Sequence, residues 1–125
     1  MKRYDPLKEP DPKEWLGLDE QERVGLIAEH HEKAGVTLPN HILHASFHAI
    51  AENQLAEGLP VVCETMSRLM SEGLDRHEAI HAIGSVLAEH MWNILKDRSP
   101  DSDLNELYFQ ALRALTAAGW LRSTR

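Results

Sequence analysis

The sequence is short of cysteine, of long apolar runs and of positive charge, and each shortage excludes a class of protein. The single Cys63 excludes an internal disulfide and any CxxC zinc ribbon or redox pair, and it favours a reducing cytoplasmic location. No apolar run approaches the roughly 20 residues that span a bilayer, so we expect no membrane partner. The net charge of −7, from 13 basic and 20 acidic residues, argues against a nucleic-acid partner, because phosphate binding needs a basic face.

Period-two alternation of apolar and polar residues, the pattern of half-buried strands, is also missing. Helical spacing of apolar residues fills the chain instead, and Asp19 with Glu22 and Asp75 with Glu78 form two capping boxes. We therefore predict an all-α protein with about five helices in one compact, bundle-like domain. The predicted helix limits fall at Asp19, Gly35, Pro39, Gly58, Pro60, Gly73, Asp75, Pro100, Ser102 and Gly119.

The first 18 residues differ in composition from the rest of the chain. Pro6, Pro10 and Pro12 alternate with charged residues, and this stretch has no apolar segment of the kind found in targeting peptides. We expect an extended N-terminal arm over 1–18, followed by a single helical domain over 19–125. A chain of 125 residues can bury a sufficient core without a metal, so any metal site would serve function.

Eight histidines against one cysteine are the unusual feature of the composition. His44 with His48, and His77 with His81, are each four residues apart, a spacing that places two imidazoles on the same helix face. Glu52 continues the first column by one more turn. If the second and fourth predicted helices are neighbours, these four histidines would bind one divalent metal ion. Glu52 would be a fifth ligand or would orient a ligand from outside the coordination shell.

Ligand type does not choose the metal, but zinc and iron are the ions we expect first. Four imidazoles suit tetrahedral zinc, and a site with more ligands suits iron, nickel or manganese. His48 with Glu52, followed by His77 with His81, also resembles part of the hemerythrin-like di-iron pattern, HxxxE and then HxxxH, in which His30 or His31 would be the ligand from the first helix. The final predicted helix has no histidine, so the full pattern is not present.

Residues 77–81 also match the zincin pattern HExxH, in which two histidines bind zinc and the glutamate activates water. In a zinc hydrolase Glu78 would be the catalytic base. Glu78 also completes the capping box begun by Asp75, and the helical wheel places it on the polar side of its helix. A hydrolase is therefore a lesser alternative.

The remaining histidines favour a plainer interpretation. A single histidine on an apolar helix face is usually a hydrogen-bonded core residue, and we assign His30, His31 and His90 to this class. His41 extends the column of His44 by one turn. The main rival to a metal site is a metal-free helical interaction or oligomerisation module, for example a homodimer, in which histidines pack at a contact.

Two separated stretches of this chain resemble a bacterial family of small proteins of unknown function. The stretches are LHASFHAIAENQ at 43–54 and HEAIH at 77–81 followed by LAEHMW at 87–92. They are similar to the family pattern LHxxxHxxIxEQ, then HEAxH, then LAExxW. The resemblance covers about half of the chain and implies that the paired histidines belong to a recurrent domain without an established activity.

Overall fold

The computed structural model describes residues 1–34, 41–96 and 104–123, and these ranges are helical without any strand. The predicted all-α class is therefore confirmed, but the expected number of about five helices is wrong, because the described ranges contain seven. The helices are α1 (Pro12–Gly17), α2 (Glu20–Lys33), α3 (His41–Ala56), α4 (Pro60–Ser71), α5 (Arg76–Lys96), α6 (Leu104–Ala114) and α7 (Ala117–Ser123).

One additional helix, α1, lies in the stretch that we expected to be an extended arm. The side chain of Asp11 accepts a hydrogen bond from the backbone N–H of Glu14 at 3.0 Å, and Pro12 occupies the first turn. Both features start helices, because the cap satisfies a free N–H and proline has none to lose. The proline that suggested extended chain thus begins a helix, and α1 buries Trp15 completely.

The other additional helix arises because the last predicted helix is divided in two. A break at 115–116 separates α6 from α7, and the Thr116 hydroxyl accepts a hydrogen bond from the N–H of Gly119 at 3.0 Å. A threonine side chain in this position caps a new helix. The predicted end at Gly119 is consequently wrong, since α7 continues to Ser123.

Several other predicted limits are confirmed by the backbone. Asp19 and Asp75 each accept a hydrogen bond from the N–H three residues later, at 2.8 Å in both cases. Gly58 and Gly73 have φ angles of 73° and 111°, which favour glycine and end α3 and α4. The predicted limits at Gly35, Pro39, Pro100 and Ser102 lie outside the described residues, and so does the side chain of His41.

Helix α3 is central, because it packs against α1, α2, α4 and α5. Helix α5 approaches it closely at Gly84, where an added Cβ atom would lie 3.9 Å from the backbone of Phe47. The second and fourth predicted helices correspond to α3 and α5, so the condition that they are neighbours is met. Their histidines are therefore brought to one region of the interior.

The N-terminal segment is attached to the body of the protein by buried side chains. Tyr4 and Trp15 pack with apolar residues of α2 and α3. Arg23 donates hydrogen bonds to the carbonyl oxygens of Trp15 and Leu16, at 3.0 and 2.8 Å, and to the side chain of Asn53 at 3.2 Å. These contacts hold the segment against the face of α2 and α3 that carries the histidines.

The rest of the core lies between α3, α4, α5, α6 and α7. The buried apolar side chains of this part are Ala51, Val62, Met66, Leu69, Leu74, Ala79, Ile80, Ala82, Ile83, Leu87, Tyr108, Leu112 and Ala117.

None of the helices in the described ranges has both the length and the apolarity needed to cross a membrane.

Candidate metal centre

Three helices bring four histidines to one point in the interior. His44 and His48 come from α3, His81 comes from α5, and His31 comes from α2. One nitrogen atom of each ring lies within 4.8 Å of a nitrogen of every other ring in the group. Helix α3 thus contributes two of the four histidines, and His31 and His48 are almost fully buried.

The hydrogen bond of His31 determines which of its nitrogens is free. Its Nδ1 lies 2.9 Å from the carbonyl oxygen of Ile27, one turn earlier on α2. A carbonyl oxygen only accepts, so Nδ1 carries the proton and Nε2 keeps its lone pair. That Nε2 is buried and has no hydrogen-bond partner among the described residues.

The same reasoning applies to His48, through a tyrosine from the N-terminal segment. The hydroxyl of Tyr4 donates its one proton to a carboxylate oxygen of Glu52, and the same hydroxyl lies 2.7 Å from Nε2 of His48. Nε2 must therefore donate to the tyrosine oxygen, which leaves the lone pair on Nδ1. Nδ1 is likewise buried without a partner in the described part of the chain.

His44 and His81 contact each other directly across α3 and α5. Their Nε2 atoms are 3.2 Å apart, and their ring centroids are 4.8 Å apart. Two neutral imidazoles at this distance share one proton between the facing nitrogens, so one of the two is a lone pair. This separation is close to the roughly 3.4 Å between two nitrogens of a tetrahedral zinc site with bonds of about 2.05 Å.

Glu52 is occupied by partners other than the histidine group. Its two oxygens accept hydrogen bonds from Arg76 at 2.9 and 2.7 Å, and one also accepts from Tyr4. The side chain is 1% exposed, and Arg76 is fixed further by the carbonyl oxygen of Pro6 at 2.8 Å. Because a buried carboxylate needs a paired cation, Glu52 and Arg76 form a unit. The unit reaches His48 through Tyr4.

His77 lies beside the group of four and outside its tight cluster of nitrogen atoms. Its ring centroid is 4.2 Å from that of His81 and 5.5 Å from that of His48. Its Nε2 is buried without a hydrogen-bond partner in the described ranges. His30 packs edge-on against the His77 ring at 5.7 Å, so six histidines are in contact.

Burial and mutual proximity favour the neutral form of five of these imidazoles. Burial is the largest cause that lowers the pKa of His31, His44, His48, His77 and His81, and repulsion by neighbouring histidines adds to it. The pKa of His81 falls to about 3. Neutral imidazoles have lone pairs, so the group is in the protonation state that binds metal ions.

The carboxylate of Glu78 has a hydrogen-bond partner outside the histidine group. Its carboxylate accepts a hydrogen bond from the indole N–H of Trp120 on α7, at 2.9 Å. Its backbone N–H donates to the cap residue Asp75. Glu78 thus links α5 to α7 and is not part of the group of four.

A cavity of about 180 Å³ adjoins the histidines on the side of α7. Three of the four grouped histidines line it, and the rest of its wall is mostly apolar. The lining residues are His44, Phe47, His48, Ile80, His81, Gly84, Ser85, Ala88 and Trp120.

Of the five residues predicted to hold a metal ion, the structure groups His44, His48 and His81, whereas His77 and Glu52 lie outside the group and His31 joins it. His31 was assigned to the core, although it lies four residues after the buried Ile27 on the same face of α2. That spacing was the available signal. Tyr4 and Arg76 were also missed, because no local pattern links the N-terminal segment to α3. His90 stacks on Tyr108 at 5.4 Å, away from the group.

Fold and site together define a small all-α protein with a buried cluster of histidines. The chain belongs to the family described as Domain of unknown function (DUF1841), whose model matches residues 12–114. The expected membership in a family of unknown function is thereby confirmed. No curated protein and no solved structure matches the chain significantly.

Proposed function

We propose that this protein binds one divalent transition metal ion through His31, His44, His48 and His81. The observation that carries the proposal is the direction of the lone pairs. His31 and His48 each have one nitrogen fixed as a donor by an outside partner, and the other nitrogen is buried and unpartnered among the described residues, in rings that belong to the group of four. Orphaned buried acceptors are rare in proteins, and a metal ion would satisfy both at once.

Zinc and iron are the ions that the donor set favours. Four neutral imidazoles are a tetrahedral nitrogen set of the kind that zinc accepts, and the spacing of His44 and His81 fits it. Iron would require further donors, and the nearest one is the unpartnered Nε2 of His77. Within this proposal Glu52 orients His48 through Tyr4 and is not a ligand.

The test is metal analysis of protein prepared without a polyhistidine tag. The wild-type protein, loaded with zinc or iron and then desalted, should retain about one ion per chain. The double variant His44→Ala/His81→Ala should retain far less, because two of four donors are lost. His90→Gln is the matched control, since it removes a histidine that stacks on Tyr108 away from the group.

Two results would overturn the proposal. One is a substoichiometric content in the loaded wild-type protein. The other is an equal content in the wild type and the double variant, which would leave the histidines as packing residues of an interaction module.

A further inference from the structure

The cavity beside the histidine group has the position of a ligand site. It is bounded by His44, His48 and His81, so an ion held by these residues would face it. Zinc with four donors can take up a fifth by expanding its coordination, as catalytic zinc sometimes does in the transition state. This inference rests on the proposed function.

The size of the cavity limits what it could hold. Its volume is about 180 Å³. An apolar cavity of roughly 150 Å³ accepts benzene, whereas pockets for drug-sized ligands measure roughly 300–1,000 Å³. The cavity therefore fits a molecule with the bulk of one aromatic ring and is too small for a peptide segment.

The walls of the cavity determine its chemistry. Phe47, Ile80 and Trp120 provide apolar surface, and Gly84 and Ala88 leave space because their side chains are absent or small. The indole N–H of Trp120 already donates to Glu78 and is not available to a ligand. Apart from Ser85, a ligand would thus find mainly apolar contacts on the wall, and its strong polar partner would be at the metal end.

We propose that this cavity binds a compact, ring-sized apolar molecule whose single electron-pair donor coordinates the metal ion. The apolar body lies against Phe47 and Trp120, and the donor atom occupies the end of the cavity that His44, His48 and His81 line. A carboxylate or a phenolate on a single ring meets this description. The metal ion determines where the donor atom of the ligand lies, and the apolar wall of the cavity determines which ring-sized molecules fit.

The experiment uses the full chain loaded with cobalt(II), whose visible absorption bands report its ligands. Benzoate is the probe, and acetate is the same donor without the ring. Benzoate should perturb the bands with an affinity at least tenfold higher than that of acetate, because only benzoate buries apolar surface in the cavity. In protein loaded with diamagnetic zinc instead, the indole N–H resonance of Trp120 should shift on benzoate addition, whereas those of Trp15 and Trp92 should not.

A cavity-filling variant tests the location. Ala88→Leu should reduce the advantage of benzoate over acetate to less than threefold while the cobalt content is unchanged. Ala111→Leu is the matched control, because Ala111 is exposed on α6 and the change should leave the advantage intact.

The possible failures are distinguishable. Absence of bound cobalt would overturn both the proposed function and this inference. Bound cobalt with equal affinities for benzoate and acetate, or with an unshifted Trp120 resonance, would overturn the ligand site alone. The affinity ratio and the Trp120 resonance are measured on the wild type, so they decide even where Ala88→Leu does not fold.

Discussion

Tyr4 illustrates how a single residue can act on a site without belonging to it. Its hydroxyl accepts from His48 and donates to Glu52, so it fixes the proton of His48 on Nε2. Burial, followed by the charge of Glu52, raises the pKa of Tyr4 and keeps the hydroxyl protonated. Partners of this kind, which orient a ligating histidine, typically change metal affinity by about 10–100-fold.

We therefore predict that Tyr4→Phe weakens metal binding about 10–100-fold while leaving one ion bound per chain at saturation. Without the hydroxyl, Nε2 of His48 has no acceptor, and the tautomer with a free Nδ1 is no longer favoured. Competition against a chromophoric chelator measures the affinity. Tyr108→Phe is the matched control, because the Tyr108 hydroxyl donates to Gln54 at 2.7 Å, and the ring of Tyr108 stacks on His90 rather than on any of the four grouped histidines. Equal effects of the two changes would contradict a positioning role for Tyr4.

At the residue scale, the sequence predicts pairs within a helix better than partners between helices. The four-residue spacing of His44 and His48 is visible in the sequence because one helix fixes both positions. The spacing of His31 from Ile27 indicates that His31 faces inward, but its approach to His44 and His48 depends on how α2 packs against α3. The pairing of Glu52 with Arg76 crosses two helices and was not predictable for the same reason.

At the scale of elements, local signals predicted the helices well where side chains cap them. The capping boxes at Asp19 and Asp75 and the glycines at 58 and 73 are local, so their outcome does not depend on the tertiary structure. The prolines at 6, 10 and 12 predict extended chain, and this prediction is wrong at Pro12, where α1 begins. Its start at Asp11 and Pro12 is also a local signal. The burial of α1, in contrast, depends on the tertiary contacts of Trp15.

This burial predicts that α1 is a structural part of the protein. Trp15 is fully buried, and its indole N–H donates to Asn53 at 2.9 Å. We expect Trp15→Ala to lower the free energy of unfolding by about 3–5 kcal/mol, as measured by urea denaturation. Trp92 is 61% exposed, so Trp92→Ala is the matched control and should change it by less than about 1 kcal/mol. Similar small losses for both variants would show that the segment is an attached arm.

At the scale of the whole molecule, five of the contacting histidines make the protein sensitive to acid. Burial lowers the pKa of His31, His44, His48, His77 and His81 in the folded state, whereas the unfolded chain takes up protons near a pKa of about 6.5. The pKa of His81 in the folded state is about 3, because it is buried and faces other imidazoles. Those facing groups are His77, His44, His31 and His30. Below about pH 6.5 the unfolded state therefore binds more protons than the folded state, and the free energy of unfolding decreases.

We accordingly predict that the metal-free protein loses stability as the pH falls from 7.5 to 5.5. Above the pKa of histidine in the unfolded chain, the protein keeps its full free energy of unfolding. Below that pKa, each imidazole that stays neutral in the folded state lowers the free energy of unfolding by up to about 1.4 kcal/mol per pH unit. Urea denaturation in the presence of a chelator, at several pH values, measures the slope. His81→Gln should flatten the slope by removing one such group, whereas His90→Gln should leave the contribution of the cluster in place. A slope that His81→Gln does not change would mean that the cluster already accepts protons in the folded state.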